Sequence, residues 1–192
     1  MQGAKPLAGK NIAIMVASGF IEEHMTDVQK ALIAAGAQTL IVSPEIGVAN
    51  GWHDGGWGHN FFVDEKVSDV LPSRFDLLLA PGGARSTATL AGNAHSRRVL
   101  KGMLEANKPV ALTDDAVTLL VDAEVATGRT VTAPEAAQAK LTEAGATVEP
   151  GPVVIDGALL TLSSTEGMAD FITAVKSALG VEPETTEEVE AA

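Results

Sequence analysis

The sequence predicts an α/β fold with a mostly parallel sheet. Short apolar runs recur along the chain, segments with helical spacing of apolar residues stand between them, and glycine closes several of those segments. Strand and helix therefore alternate, the pattern of a parallel sheet covered by helices. The first run, Asn11 to Val16 (NIAIMV), is apolar without alternation, as expected of a strand buried on both faces.

The elements follow in order. Ala17-Ser18-Gly19 breaks the first strand. From Phe20 to Ala35 the apolar residues Ile21, Met25, Val28, Leu32 and Ile33 fall at helical spacing, and Gly36 ends the helix. Gln38 to Ser43 (QTLIVS) is the second strand. Residues 47–64, GVANGWHDGGWGHNFFVD, are rich in Gly and Trp and read as a loop or small hairpin rather than core. Asp76 to Ala80 (DLLLA) is the third strand, turned by Pro81-Gly82-Gly83. Ala94 to Asn107 is helical, and Pro109 to Thr113 is the fourth strand. Pro134 to Ala144 is a helix with proline at its start and Gly145 at its end. Val153 to Ile155 and Leu159 to Ser163 flank an Asp156-Gly157 hairpin turn. Glu166 to Leu179 is the last helix.

The bulk numbers narrow the function classes. A chain of 192 residues with 46% apolar content suits one domain, expected over 1–180. Residues 181–192, VEPETTEEVEAA, hold five glutamates and no basic residue, the composition of a disordered acidic tail. A net charge of −12 argues against nucleic acid and anionic membrane as partners. With no cysteine in the chain, disulfides, thiolate catalysis and Cys-ligated zinc are all excluded. The opening MQGAKPLAGK lacks the long apolar stretch of a signal peptide, and no apolar run reaches membrane-spanning length, so a soluble, cytoplasmic protein is expected. G-x-G-x-x-G after the first strand, Walker A and H-E-x-x-H are all missing. No cofactor is implied.

The stretch PVALTDDAVTLLV, residues 109–121, reads as a buried strand, two aspartates, then a helix. Such a strand-to-helix corner is where many α/β enzymes mount a nucleophile. The order of GFIEEHMTDVQKALIAAGA, WGHNFFVD, FDLLLAPGG, KPVALTDDAVTLL, GRTVTAPEAAQAKLTEAGA and VVIDGALLTLSS resembles the ThiJ/PfpI superfamily over Lys10 to Leu179. The PfpI-like intracellular protease and glyoxalase group looks closest. The C-terminal domain of large-subunit catalases, a non-catalytic relative, looks similar around ALTDDAV. The resemblance implies a flavodoxin-like three-layer sandwich related to class I glutamine amidotransferase domains. It also implies a homodimer or an assembly of dimers.

Members of this superfamily carry a nucleophilic cysteine at a tight elbow, usually followed by histidine and glycine, with a glutamate from the first helix touching the thiol. Here those positions fall on Asp114, Asp115, Ala116 and, counting back from Gly36 without a gap, His24. Neighbouring Glu22 and Glu23 stand ready to take the glutamate's place if the loop slips. The thiol site is thus replaced, and the protease, deglycase and glyoxalase activities that rest on it are not expected. The resemblance further suggests the N–H groups of Gly83 and Asp115 as an oxyanion hole.

Three readings of the aspartates stay open. Asp115 caps the helix through its N–H groups while Asp114 is merely solvated. Alternatively Asp114 is a carboxylate nucleophile or general base partnered by His24. Or His24, Asp114 and Asp115 ligate a divalent ion. The first leads to a binding or stress-related protein that takes a small-molecule ligand. The second leads to a cysteine-independent hydrolase, hydratase or lyase acting on a small carbonyl compound. In the loop WHDGGWGH, His53, Asp54 and His59 suggest ligands, but glycine-rich spacing holds nothing in place. The resemblance implies that this loop lies near the active pocket and a dimer contact, which makes Trp52 and Trp57 candidates for pocket walls or interface anchors; the alternative is an exposed lid with a satellite apolar cluster. Arg85 is expected in a surface ion pair, and His95 is expected to be exposed.

Overall fold

The computed structural model of the chain describes residues 5–182, so the acidic tail lies outside the described residues from 183 onward. In chain order the elements are β1 (Asn11–Met15), β2 (Phe20–Ile21), α1 (Glu22–Ala34), β3 (Gln38–Ser43), β4 (Val48–His53), β5 (Gly56–Phe62), β6 (Glu65–Lys66) and β7 (Leu77–Ala80). Then come α2 (Ala84–Gly92), α3 (Ala94–Glu105), β8 (Val110–Thr113), a 3-10 turn (Asp114–Thr118) and α4 (Leu119–Asp122). The remainder is β9 (Thr130–Val131), α5 (Glu135–Glu143), β10 (Thr147–Val148), β11 (Val153–Asp156), β12 (Leu159–Leu162) and α6 (Met168–Ala178).

Seven strands form one sheet in the order β11-β12-β8-β7-β1-β3-β6. Each pairing is parallel except the β11–β12 hairpin at one edge. Counting the longer parallel strands β3, β1, β7, β8 and β12 gives the flavodoxin-like order 2-1-3-4-5. Successive side chains of a strand point to opposite faces, and here both faces are buried. Ala13 and Met15 of β1 join one apolar cluster with Leu78, Leu112, Val99, Met103 and Leu141. Ile12 and Ile14 join another with Leu77, Leu79, Met25, Leu32, Phe171 and Val175. Helices α1 and α6 therefore cover one face, α2 to α5 the other, and the core is a three-layer sandwich. Among the described residues no helix is long and apolar enough to cross a membrane.

The structure corrects the expected elements in three places. The helix read from Phe20 starts at Glu22, because Phe20 and Ile21 form a short strand paired with Gly51 and Trp52 of β4. Residues 84–92, assigned to no element, form α2. The Gly- and Trp-rich segment is a small hairpin, β4 against β5, as one of its two readings had it, but it does reach the core, since Ala49 is fully buried.

Candidate functional site

The elbow stands at the carboxyl end of β8. Val110, Ala111, Leu112 and Thr113 are all fully buried, and the chain then turns through Asp114 at φ 53°. That left-handed conformation is uncommon outside glycine, although aspartate tolerates it better than most residues. The turn is crowded by the Pro81-Gly82-Gly83 loop after β7. A Cβ on Gly82 would lie 2.6 Å from the Asp114 Cβ and 2.7 Å from the Thr113 carbonyl oxygen. Gly83, at φ 127°, packs its Cα against the Gly19 carbonyl and Phe20. Only glycine lets these backbones approach so closely.

Both N–H groups of that glycine pair are taken by elbow side chains. Gly82 N–H donates to Thr113 Oγ1 at 3.0 Å. Gly83 N–H donates to Asp115 Oδ1 at 2.7 Å, and Thr87 Oγ1 donates to the same oxygen at 3.1 Å. The Asp115 carboxylate therefore bridges to the β7–α2 loop instead of capping its own helix. Gly83 N–H, expected as an oxyanion-hole donor, is engaged by the Asp115 carboxylate. The second expected donor, the Asp115 N–H, favours the charged form of the Asp114 carboxyl. Burial, together with the Asp115 charge, outweighs this and holds the Asp114 carboxyl above its ordinary range. Asp114 is half-buried rather than merely solvated.

His24 is buried on α1, and its Nδ1 lies 3.0 Å from Thr113 Oγ1. It thus stands beside the elbow, where the gap-free count puts it, but its hydrogen-bond partner is Thr113 and not Asp114. Burial lowers its pKa, and the charges of Glu23, Asp115 and Asp27 offset that only in part, which favours the neutral ring. His24, Asp114 and Asp115 do not bring three donors within range of one ion; among the described residues the group that does is Glu23, His53 and Asp54.

The two glutamates next to His24 turn away from the elbow. Glu22 is buried and takes the His59 backbone N–H at 2.9 Å and its ring Nδ1 at 2.5 Å. Burial pushes its carboxyl up, but those bonds and the charges of His59 and His53 pull it below the ordinary value. Glu23 pairs with His53 Nδ1. Both hairpin histidines are therefore held, contrary to the reading of a loosely spaced loop. Their partners lie 30 and 37 residues away, beyond the reach of local spacing. Trp52 and Trp57 stack edge to face across the hairpin with centroids 5.4 Å apart. The Arg85 guanidinium lies 5.5 Å from the Trp57 ring centroid; among the described residues it makes a cation–π contact and not the expected ion pair.

A family model described as DJ-1/PfpI family matches residues 10–178. An uncharacterised protein of Staphylococcus saprophyticus is 30% identical over 164 residues, 84% of this chain and 93% of that one. Among solved structures, a ThiJ/PfpI domain protein from Brachyspira murdochii superposes with a TM-score of 0.80 at 24% identity, covering 90% of this chain and 97% of the other. Drosophila melanogaster DJ-1beta does so with a TM-score of 0.79 at 20% identity, covering 88% and 90%.

Proposed function

The chain belongs to the DJ-1/PfpI family, and from that premise we propose that it is a member without thiol chemistry, acting as a binding protein in a stress-related role. The observation that carries this reading is the 2.7 Å bond from Gly83 N–H to Asp115 Oδ1. Acyl-transfer and related carbonyl chemistry needs preorganised donors aimed at developing negative charge. Here one such donor already holds a carboxylate, and a second carboxylate stands beside it. A substrate oxyanion would have to displace a charged, hydrogen-bonded group and then face its neighbour. The elbow suits a small uncharged or cationic ligand. A homodimer belongs to the same proposal.

The test is turnover. Purified wild type and Asp114→Asn are assayed on α-dicarbonyls, activated esters and small peptides. No turnover in either, with both folded, is the expected result. Wild-type turnover abolished in Asp114→Asn would overturn it. One observation favours the second reading, a cysteine-independent hydrolase, hydratase or lyase working through Asp114 and His24: the Asp114 carboxyl is raised, as suits a general base, and sits on a left-handed elbow. Its weakness is the His24 ring, which bonds Thr113 instead.

A further inference from the structure

The β4–β5 hairpin lies across the first turn of α1 and gathers ligating groups that the elbow does not use. His53 ends β4, and Asp54-Gly55 form its two-residue turn, with φ of 48° and 75° and His53 opposite Gly56. That turn, with left-handed backbone at both positions, gives Asp54 a set place next to His53. Glu23 reaches them from α1. Taking one donor atom from each of Glu23, His53 and Asp54, all lie within 4.8 Å of one another. Glu23 meets the ring at Nδ1 and Asp54 at Nε2, and donors about 2.0–2.2 Å from one ion stand roughly 3–4 Å apart, so closing the set on a single cation takes reorientation of these exposed side chains until one ring nitrogen and both carboxylates face the ion.

The surroundings also favour a cation. The Glu22–His59 pair sits alongside: a Cβ on Gly58, the residue between them, would run into Glu22 Oε2 and lie 3.2 Å from His53 Cβ. Glu22, Glu23 and Asp54 are thus close together, and among the described residues their only ion-pair partners are His53 and His59. Among the described residues these carboxylates are ion-paired with two imidazoles and with no Lys or Arg.

We propose that Glu23, His53 and Asp54 form a binding site for a divalent cation of the zinc type, on the outer hairpin and independent of the elbow. One imidazole nitrogen with two carboxylate oxygens suits zinc or a neighbouring transition ion better than magnesium, which prefers oxygen ligands alone. Three protein donors leave coordination positions for water. Bound there, the ion clamps the hairpin to α1.

The probe is zinc chloride added to the full chain at pH 7.5. Uptake is followed by equilibrium dialysis with metal analysis, and stability by thermal melting. Wild type is expected to take up one zinc per chain and to melt higher with zinc than without. His53→Ala and Glu23→Gln should each weaken uptake by about 100-fold or more, since losing even an outer-shell partner of a metal ligand costs about 10–100-fold. His95→Ala, at an exposed histidine on α3, should bind as wild type does. Magnesium in excess should not compete. No saturable uptake by wild type overturns the proposal. So does uptake that His53→Ala and Glu23→Gln leave unchanged, or that His95→Ala removes. Because His53 and Glu23 are partly exposed and not part of the core, their variants should fold, and circular dichroism without zinc checks this.

Discussion

Replacing Asp115 with alanine tests the arrangement at the elbow most directly. The carboxylate accepts from Gly83 N–H at 2.7 Å and from Thr87 Oγ1 at 3.1 Å, and both donors belong to buried residues. A hydrogen bond to a charged group contributes about 1.5–3 kcal/mol, and a buried donor left without a partner costs a comparable amount. Because Asp115 itself is only partly buried, water recovers some of this, and a loss of about 2–3 kcal/mol is expected. For a chain of this size each kcal/mol lowers Tm by about 2–4 °C, so Asp115→Ala should melt about 4–12 °C below wild type. Asp115→Asn keeps an acceptor oxygen without the charge and should lose about half as much. Thermal melting at pH 7, backed by urea titration, measures both. If Asp115→Ala melts within a degree of wild type, the carboxylate does not hold the Gly83 turn, and the case for a self-occupied anion hole fails with it.

Further outcomes follow from neighbouring contacts. Asp114 has its pKa raised in the folded state, so its contribution favours folding at acid pH and is lost as pH rises from the ordinary carboxyl value near 3.8 through the higher folded value. Asp114→Asn should therefore be more stable than wild type at pH 7, with the advantage shrinking toward pH 4 and below, as paired melts across that range would show. Gly83→Ala should cost about 3 kcal/mol or more, since its backbone is at φ 127° and the new Cβ would meet the Gly19 carbonyl and lie 2.8 Å from Phe20 Cα; unchanged urea stability would refute the close approach. Lys108 Nζ donates to the carbonyls of Pro72, Ser73 and Phe75 at 3.1, 3.0 and 2.7 Å, so Lys108→Met should lose about 2 kcal/mol in the same titration.

Much of the fold was legible because its signals are local. β1, β3, β7 and β8 are short apolar runs whose ends match the reading to within a residue or two. Gly36 and Gly145 close α1 and α5 in left-handed conformation, as their positions imply. Helix α2 was not legible. Its segment ARSTATLAG is small and polar, and Ser86 and Thr87 are buried through tertiary contacts instead of apolar periodicity. The strand at Phe20–Ile21 was hidden inside a helical pattern because it exists only through pairing with β4.

The sequence by itself determined the alternation of strand and helix, the absence of a thiol, and a strand ending in two aspartates at a corner, since composition and short-range spacing suffice for each. Only the tertiary structure decided what those aspartates face. Asp115 meets a glycine 32 residues upstream, His24 meets Thr113 across 89, and Glu22 and Glu23 turn outward to the hairpin. Side-chain direction at a helix start and the partner of a backbone N–H depend on which loops the sheet order brings together, and no local pattern records that order.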